Sequence, residues 1–337
     1  MSLVDADLAQ MMDSVLAERR DRHRATTGFD RALWDELDEL GLVRLTAPES
    51  TGGSGAGWAE AAELLTAAVR HAIRLPLAEH DLLACDLLTT LNLRSDDGLV
   101  RTMAVVDSAG RARSVPWADD ADRIIVIGES AGRTTITDVD RGACTLAPGV
   151  NQIGEPRSDL VVDLEAADSH EVPAEVVRRL RLKHALVRAI QVCAALDCAV
   201  ESAIEHATAR VQFGRPLAKM QAVQTLIADA AAEAALARTA TETALAVAVD
   251  SGWSDRRLGF LIAVARSCSG HAASMVVRNA HQIHGAIGTT LEHRLHEFTR
   301  AALAWRGEGG SVAHWDREVA RAAVEAGEQG VWALITG

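Results

Sequence analysis

Residues 173–210 read PAEVVRRLRLKHALVRAIQVCAALDCAVESAIEHATAR. Pro173 opens the stretch, and proline is at home in a first helical turn, where its missing N–H would have no intrahelical partner. Apolar residues then recur at helical spacing to about Arg210, which predicts one long helix. The same pattern repeats over about 216–249, 255–281, 291–305 and 312–334. Long, alanine-rich helices joined by short turns predict an antiparallel bundle.

Working outward toward the start of the chain, the period changes. Between about Val100 and Val162 short β-branched runs appear, Met103–Val106, Ile124–Ile127 and Thr134–Thr137, separated by Gly, Asp and Pro. They predict a small β domain. From Val4 to about Leu93 helical spacing returns, as in Leu33, Trp34, Leu37, Leu40 and Leu42. The Gly-rich run Pro48–Gly55 interrupts it; lacking a GKS/T ending and a preceding strand, it reads as a connecting loop rather than a phosphate cradle. The fold class expected is mostly α with a small central β domain. Its parts are an N-terminal helical domain (1–98), a β domain (99–170) and a C-terminal helical bundle (171–337).

Composition narrows the function classes. The 337 residues carry 34 Lys and Arg against 47 Asp and Glu, a net charge of −13, so no excess of cations exists to displace phosphate counterions. Nucleic acid is not expected as a partner. No uninterrupted apolar run reaches the roughly 20 residues that span a bilayer, and MSLVDADLAQMMDSVLAERR mixes acids into its apolar positions. A cytoplasmic protein with no membrane partner is the expectation. Five scattered cysteines with no CxxC read as buried thiols in a reducing compartment. Aromatics make up 3% and tyrosine is absent, so Ala, Leu, Val and Ile must fill the core, with seven tryptophans as anchors.

Two segments of the C-terminal half carry chemistry. The first is Arg210-Val211-Gln212-Phe213-Gly214-Arg215-Pro216-Leu217, followed by Gln221-Ala222-Val223-Gln224 and Ala228-Asp229. The second is Gln282-Ile283-His284-Gly285-Ala286-Ile287-Gly288-Thr289-Thr290-Leu291-Glu292-His293. An arginine at a helix end supplies a fork of donors suited to pyrophosphate, and glycines after a helix let backbone amides approach a nucleotide. Taken alone, Arg210 reads equally as a helix cap and Gly285 and Gly288 as a helix stop.

In order and spacing the two segments resemble the signatures of acyl-CoA dehydrogenases. Weaker likeness extends through Asp35–Leu42, Ala47–Gly55 and Val115–Asp122. The resemblance implies FAD as cofactor, an acyl-CoA thioester as substrate, and a grip on the adenosine diphosphate half of FAD by Arg210, Phe213, Gln221, Gln282, Gly285 and Gly288 across a subunit interface. Ala286 stands where the family usually has a second glycine.

The family needs a carboxylate that takes the substrate's α-proton while a hydride leaves for the flavin. Some members carry it on the first bundle helix, at an offset that falls here on His184. Others carry it in a late Tyr-Glu-Gly segment, whose counterpart is Arg306-Gly307-Glu308-Gly309 with a one-residue gap. The candidate bases are therefore Glu308 and His184, and Glu308 reads alternatively as a solvated turn residue. The family's Thr-Glu-Pro and Gly-Ser-Asp flavin-facing segment has no counterpart before Val115. Length, compact β domain and missing segment resemble the shorter subunit of α2β2 acyl-CoA dehydrogenases of steroid-degrading bacteria. That implies a longer acyl-CoA dehydrogenase subunit as partner and a steroid side-chain thioester as substrate. A self-sufficient homodimer and a flavin-free partner subunit are the alternatives. The pairs His281/His284 and His293/His296, with Glu292 and Glu297 nearby, have metal-ligand spacing, but glycines separate them and nothing else completes a ligand set, so they read as interface or capping histidines. No metal is expected.

Overall fold

In a computed structural model the protein is described at residues 4–22, 28–95, 97–130, 132–164 and 169–336. Its contacts divide it into two compact units, Met1–Lys183 and His184–Gly337. The helical N-terminal segment and the β segment thus belong to one unit, and the break falls inside the long helix rather than at residue 171.

The first unit begins with helices α1 (Ala6–Arg22), α2 (Arg31–Glu39) and α3 (Trp58–Arg70). Asp30 caps α2, its carboxylate accepting from the Leu33 N–H, and Leu33, Trp34 and Leu37 turn inward as their spacing requires. A wholly buried π-helical stretch, Ala78–Cys85, continues into α4 (Asp86–Thr90). The Gly-rich run packs tightly as a loop: a Cβ on Gly53 would lie 2.0 Å from the Ala47 carbonyl oxygen.

Seven strands follow: β1 (Arg101–Val105), β2 (Arg111–Pro116), β3 (Arg123–Ser130), β4 (Arg133–Asp140), β5 (Cys144–Ala147), β6 (Arg157–Val162) and β7 (His170–Glu171). One sheet has the order β1-β3-β4-β7 and the other β2-β6-β5. Strand β3 explains its own sequence. Ile124 and Val126 face the core shared with the second sheet, while Ile125 and Ile127 face Leu83, Leu87 and Leu180 on the helical side. A strand buried on both faces reads as a continuous apolar run, as Ile124–Ile127 does. Strands β2, β5, β6 and β7 are absent from the expected strands. In β2 the burial alternation breaks at a register shift between Ala112 and Val115.

The helices of the bundle are α5 (Ala174–Ala209), α6 (Gln221–Asp250), α7 (Leu258–His284), α8 (Leu295–Trp305) and α9 (Val312–Thr336). All five lie within a few residues of their expected spans. The largest difference is at the start of α6, where residues 215–219 form a strand and a 3-10 turn instead. Buried Ala230, Ala234, Ala237, Ala244 and Ala248 let α6 pack closely along α7. Residues 258–289 are long and apolar enough to cross a bilayer, but more than half of that window is buried, as befits a core helix. Three thiols, Cys85, Cys193 and Cys198, are buried; Cys144 and Cys268 are only half-buried. Not every tryptophan is an anchor: Trp332 is 72% exposed.

Candidate functional site

The chain leaves α5 through Arg210, whose backbone N–H donates to the His206 carbonyl at 2.9 Å. It then forms a two-stranded hairpin, β8 (Val211–Gln212) with β9 (Arg215–Pro216). Phe213 and Gly214 make the turn with φ of 51° and 76°. Two-residue hairpins favour positive φ at both positions, which Gly supplies freely and Phe does not. Phe213 is also 92% exposed. A large aromatic residue held at positive φ with its ring in solvent gains nothing from burial, which points to binding. Arg210 and Gln221, the first residue of α6, are exposed as well.

The second segment forms the end of α7 and a 3-10 turn, Gly285–Thr289. Gly285 has φ +62° and ψ −140°, a conformation open essentially to glycine alone. Gly288 is needed for packing, since a Cβ there would lie 2.7 Å from the His284 Cβ. Gln282 is exposed beside them. Histidines join the two segments: the rings of His206, one turn before Arg210, and His284, next to Gly285, stack at 4.5 Å. The ends of the two segments therefore meet at this histidine contact.

The same contact corrects the reading of the histidines. His284 and His293, one from each pair, come together with ring centroids 4.6 Å apart. His206 joins them from α5, and one ligand nitrogen from each lies within 4.8 Å of the others. His281 instead bonds the Thr299 hydroxyl at 3.0 Å.

The two candidate bases also converge. A Cβ on Gly309 would lie 3.0 Å from the His184 Nδ1, so the backbone after Glu308 rests against the His184 ring. One turn along α5, Arg188, 1% exposed, brings its Nε within 2.8 Å of the Glu308 carboxylate as an ion pair. Glu308 is not a solvated turn residue: its side chain is 20% exposed and ion-paired. Arg266, buried on α7, donates from Nη2 to the carbonyls of Arg306 and Glu308 at 2.9 and 2.8 Å. Burial pulls the Arg266 pKa down to about 10; Arg188 adds to that shift and Glu308 opposes it. The turn from Arg306 to Glu308 is thus held by cations of two helices. Sequence reasoning missed Arg188 and Arg266, because an arginine in a helical pattern gives no sign of facing inward.

Comparison with known proteins decides the family. The N-terminal domain model of the acyl-CoA dehydrogenases matches residues 3–90 and the C-terminal domain model residues 178–324. The chain belongs to the acyl-CoA dehydrogenase family. This family member is similar to acyl-CoA dehydrogenase FadE34 of Mycobacterium tuberculosis, 26% identical over 86% of the chain, and spans 42% of the length of FadE34. Its fold is shared with the ChsE4–ChsE5 complex of Mycobacterium tuberculosis, at a TM-score of 0.82 and 21% identity over 95% of this chain and 96% of that one. The Tcur3481–Tcur3483 steroid ACAD matches at a TM-score of 0.83 and 20% identity, covering 95% and 97%.

Proposed function

We propose that this acyl-CoA dehydrogenase family chain is one subunit of a heteromeric FAD-dependent dehydrogenase of acyl-CoA thioesters, with steroid side-chain thioesters as the substrate class. The observation that carries it is the open surface at Arg210, Phe213 and Gln282. All three are exposed, and Phe213 is held at positive φ and is 92% exposed. Such a surface suits half of a dinucleotide site closed by a second chain. The donor set fits the adenosine diphosphate half of FAD: Arg210 as a guanidinium fork for pyrophosphate, Gln221 and Gln282 as amides, Phe213 as an aromatic platform. Gly285 keeps backbone approach open, since nothing lies within 4 Å of a Cβ placed there. FAD supplies the hydride acceptor when bound.

The base is where the chain falls short. The Glu308 carboxylate is neutralised by Arg188, and His184 is a cation or a weak neutral base rather than a carboxylate. A partner subunit supplying the carboxylate completes the reaction. Likeness to solved structures named as a two-chain complex and as a steroid ACAD supports both the partner and the substrate class. A cytoplasmic setting belongs to the same proposal. The convergence of His184 with the Glu308 turn favours, as a second reading, a self-sufficient homodimer. Glu308→Gln and His184→Gln variants in the purified complex separate the two. Turnover kept within about threefold supports the partner's base, and loss of a hundredfold or more assigns the base to this chain.

A further inference from the structure

We propose that His206, His284 and His293 form a binding site for a divalent transition-metal ion of the zinc or cobalt class. The three imidazoles come from three segments: the last turn of α5, the final residue of α7, and the loop before α8. Ring centroids lie 4.5 Å apart for His206 and His284, 4.6 Å for His284 and His293, and 6.2 Å for His206 and His293. With metal–nitrogen bonds of about 2.0–2.1 Å, tetrahedral ligand nitrogens lie roughly 3.3 Å apart. The present separations, up to 4.8 Å, need a closure that rotation of the half-buried His206 and His293 can supply.

His284 is already oriented as a ligand. Its Nδ1 lies 2.7 Å from the Ala280 carbonyl, so Nδ1 carries the proton and Nε2 keeps its lone pair, facing the Ser202 hydroxyl at 3.3 Å. A backbone carbonyl on the far nitrogen is the usual way a metal-binding imidazole is held. Burial lowers the pKa of His284 to about 4 and pulls that of His206 below its ordinary value. The charged groups acting on them are cationic or can become so: His281 and His293, and Arg210 near His206. Three imidazoles with one open position are the ligand set of known three-histidine zinc sites. One local bond opposes it: the Leu295 N–H donates to the His293 Nδ1 at 3.1 Å and must be released, at a cost that one coordinate bond exceeds.

The test is cobalt(II) titration of the tag-free full chain, read by metal content after dialysis and by visible ligand-field bands, with thermal melting to confirm folding. One cobalt per chain with four-coordinate bands is expected, lost in His206→Gln and in His293→Gln and kept in His281→Gln and His296→Gln. Zinc should raise the melting temperature by several degrees in the parent only. Absence of stoichiometric uptake, or uptake unchanged in both His206→Gln and His293→Gln, overturns the proposal. His293 lies in a loop, so its variant serves should His206→Gln fail to fold.

Discussion

Phe213 separates stability from binding at a single side chain. Its φ of 51° costs of order 1 kcal/mol that glycine would not incur, and its exposed ring returns little by packing. Phe213→Gly is expected to raise the unfolding free energy by about 0.5–1 kcal/mol in urea titration while lowering FAD retention in the complex at least tenfold. Arg188 and Glu308 make the opposite case. Removing one partner strands the other, so Arg188→Met should destabilise the chain by roughly 1–3 kcal/mol, measured the same way. The partial exposure of Glu308 keeps this below the value for a fully buried pair. Phe213 was singled out in the sequence by its motif, and the structure leaves it exposed. Arg188 and Arg266 were not singled out, because their partners lie in a turn far along the chain.

Among the elements, the π-helical stretch Ala78–Cys85 shows buried ionisable groups set against each other. Asp81 is pushed up to about 7 by burial, against hydrogen bonds from the Thr46 N–H and hydroxyl that work to lower it. Its neighbour His80 is pushed down to about 3, by burial and by the charges of Arg101 and Arg44. Between pH 4 and 7 the folded state therefore holds the Asp81 proton that the unfolded chain has lost, and this contribution to stability falls as pH rises. Asp81→Asn mimics the protonated form and keeps an acceptor for Thr46. Its stability relative to the parent should improve by up to about 1.4 kcal/mol per pH unit from pH 4 to 7, followed by denaturation at several pH values. Between pH 6.5 and 3 His80 acts in the other sense, since the unfolded chain binds a proton the folded one refuses. The long bundle helices and the doubly buried β3 were readable because periodicity and run length report burial directly. The edge strands β5 and β7, the bulged β2 and β6 between β2 and β5 were not, because these short strands carry no continuous apolar run. The hairpin at 211–216 was hidden by Pro216, which reads as a helix start but here ends a strand.

For the whole molecule, the apolar residues left in solvent on the second unit favour an assembly over a monomer. Leu291, 81% exposed, follows the Gly285–Thr289 turn directly, and Phe213 tips the hairpin. Leu291→Asp is expected to weaken association with the proposed longer subunit at least tenfold in sedimentation velocity, without altering the fold by circular dichroism. The domain order helix, strand, helix was legible from changes of period alone; the grouping of the first two parts into one compact unit was not, since it depends on Leu83 and Leu180 meeting the inner face of β3. The same holds for the His206, His284 and His293 cluster, which only the folded chain assembles.

The central claim is that this chain holds half a flavin site and lacks a working base of its own. Its most direct test is FAD content and ferricenium-linked dehydrogenase activity of the purified chain, expressed alone and together with a longer acyl-CoA dehydrogenase subunit from the same organism. Flavin and turnover only in the co-expressed complex is the predicted result; a lone chain that is yellow and active would contradict it.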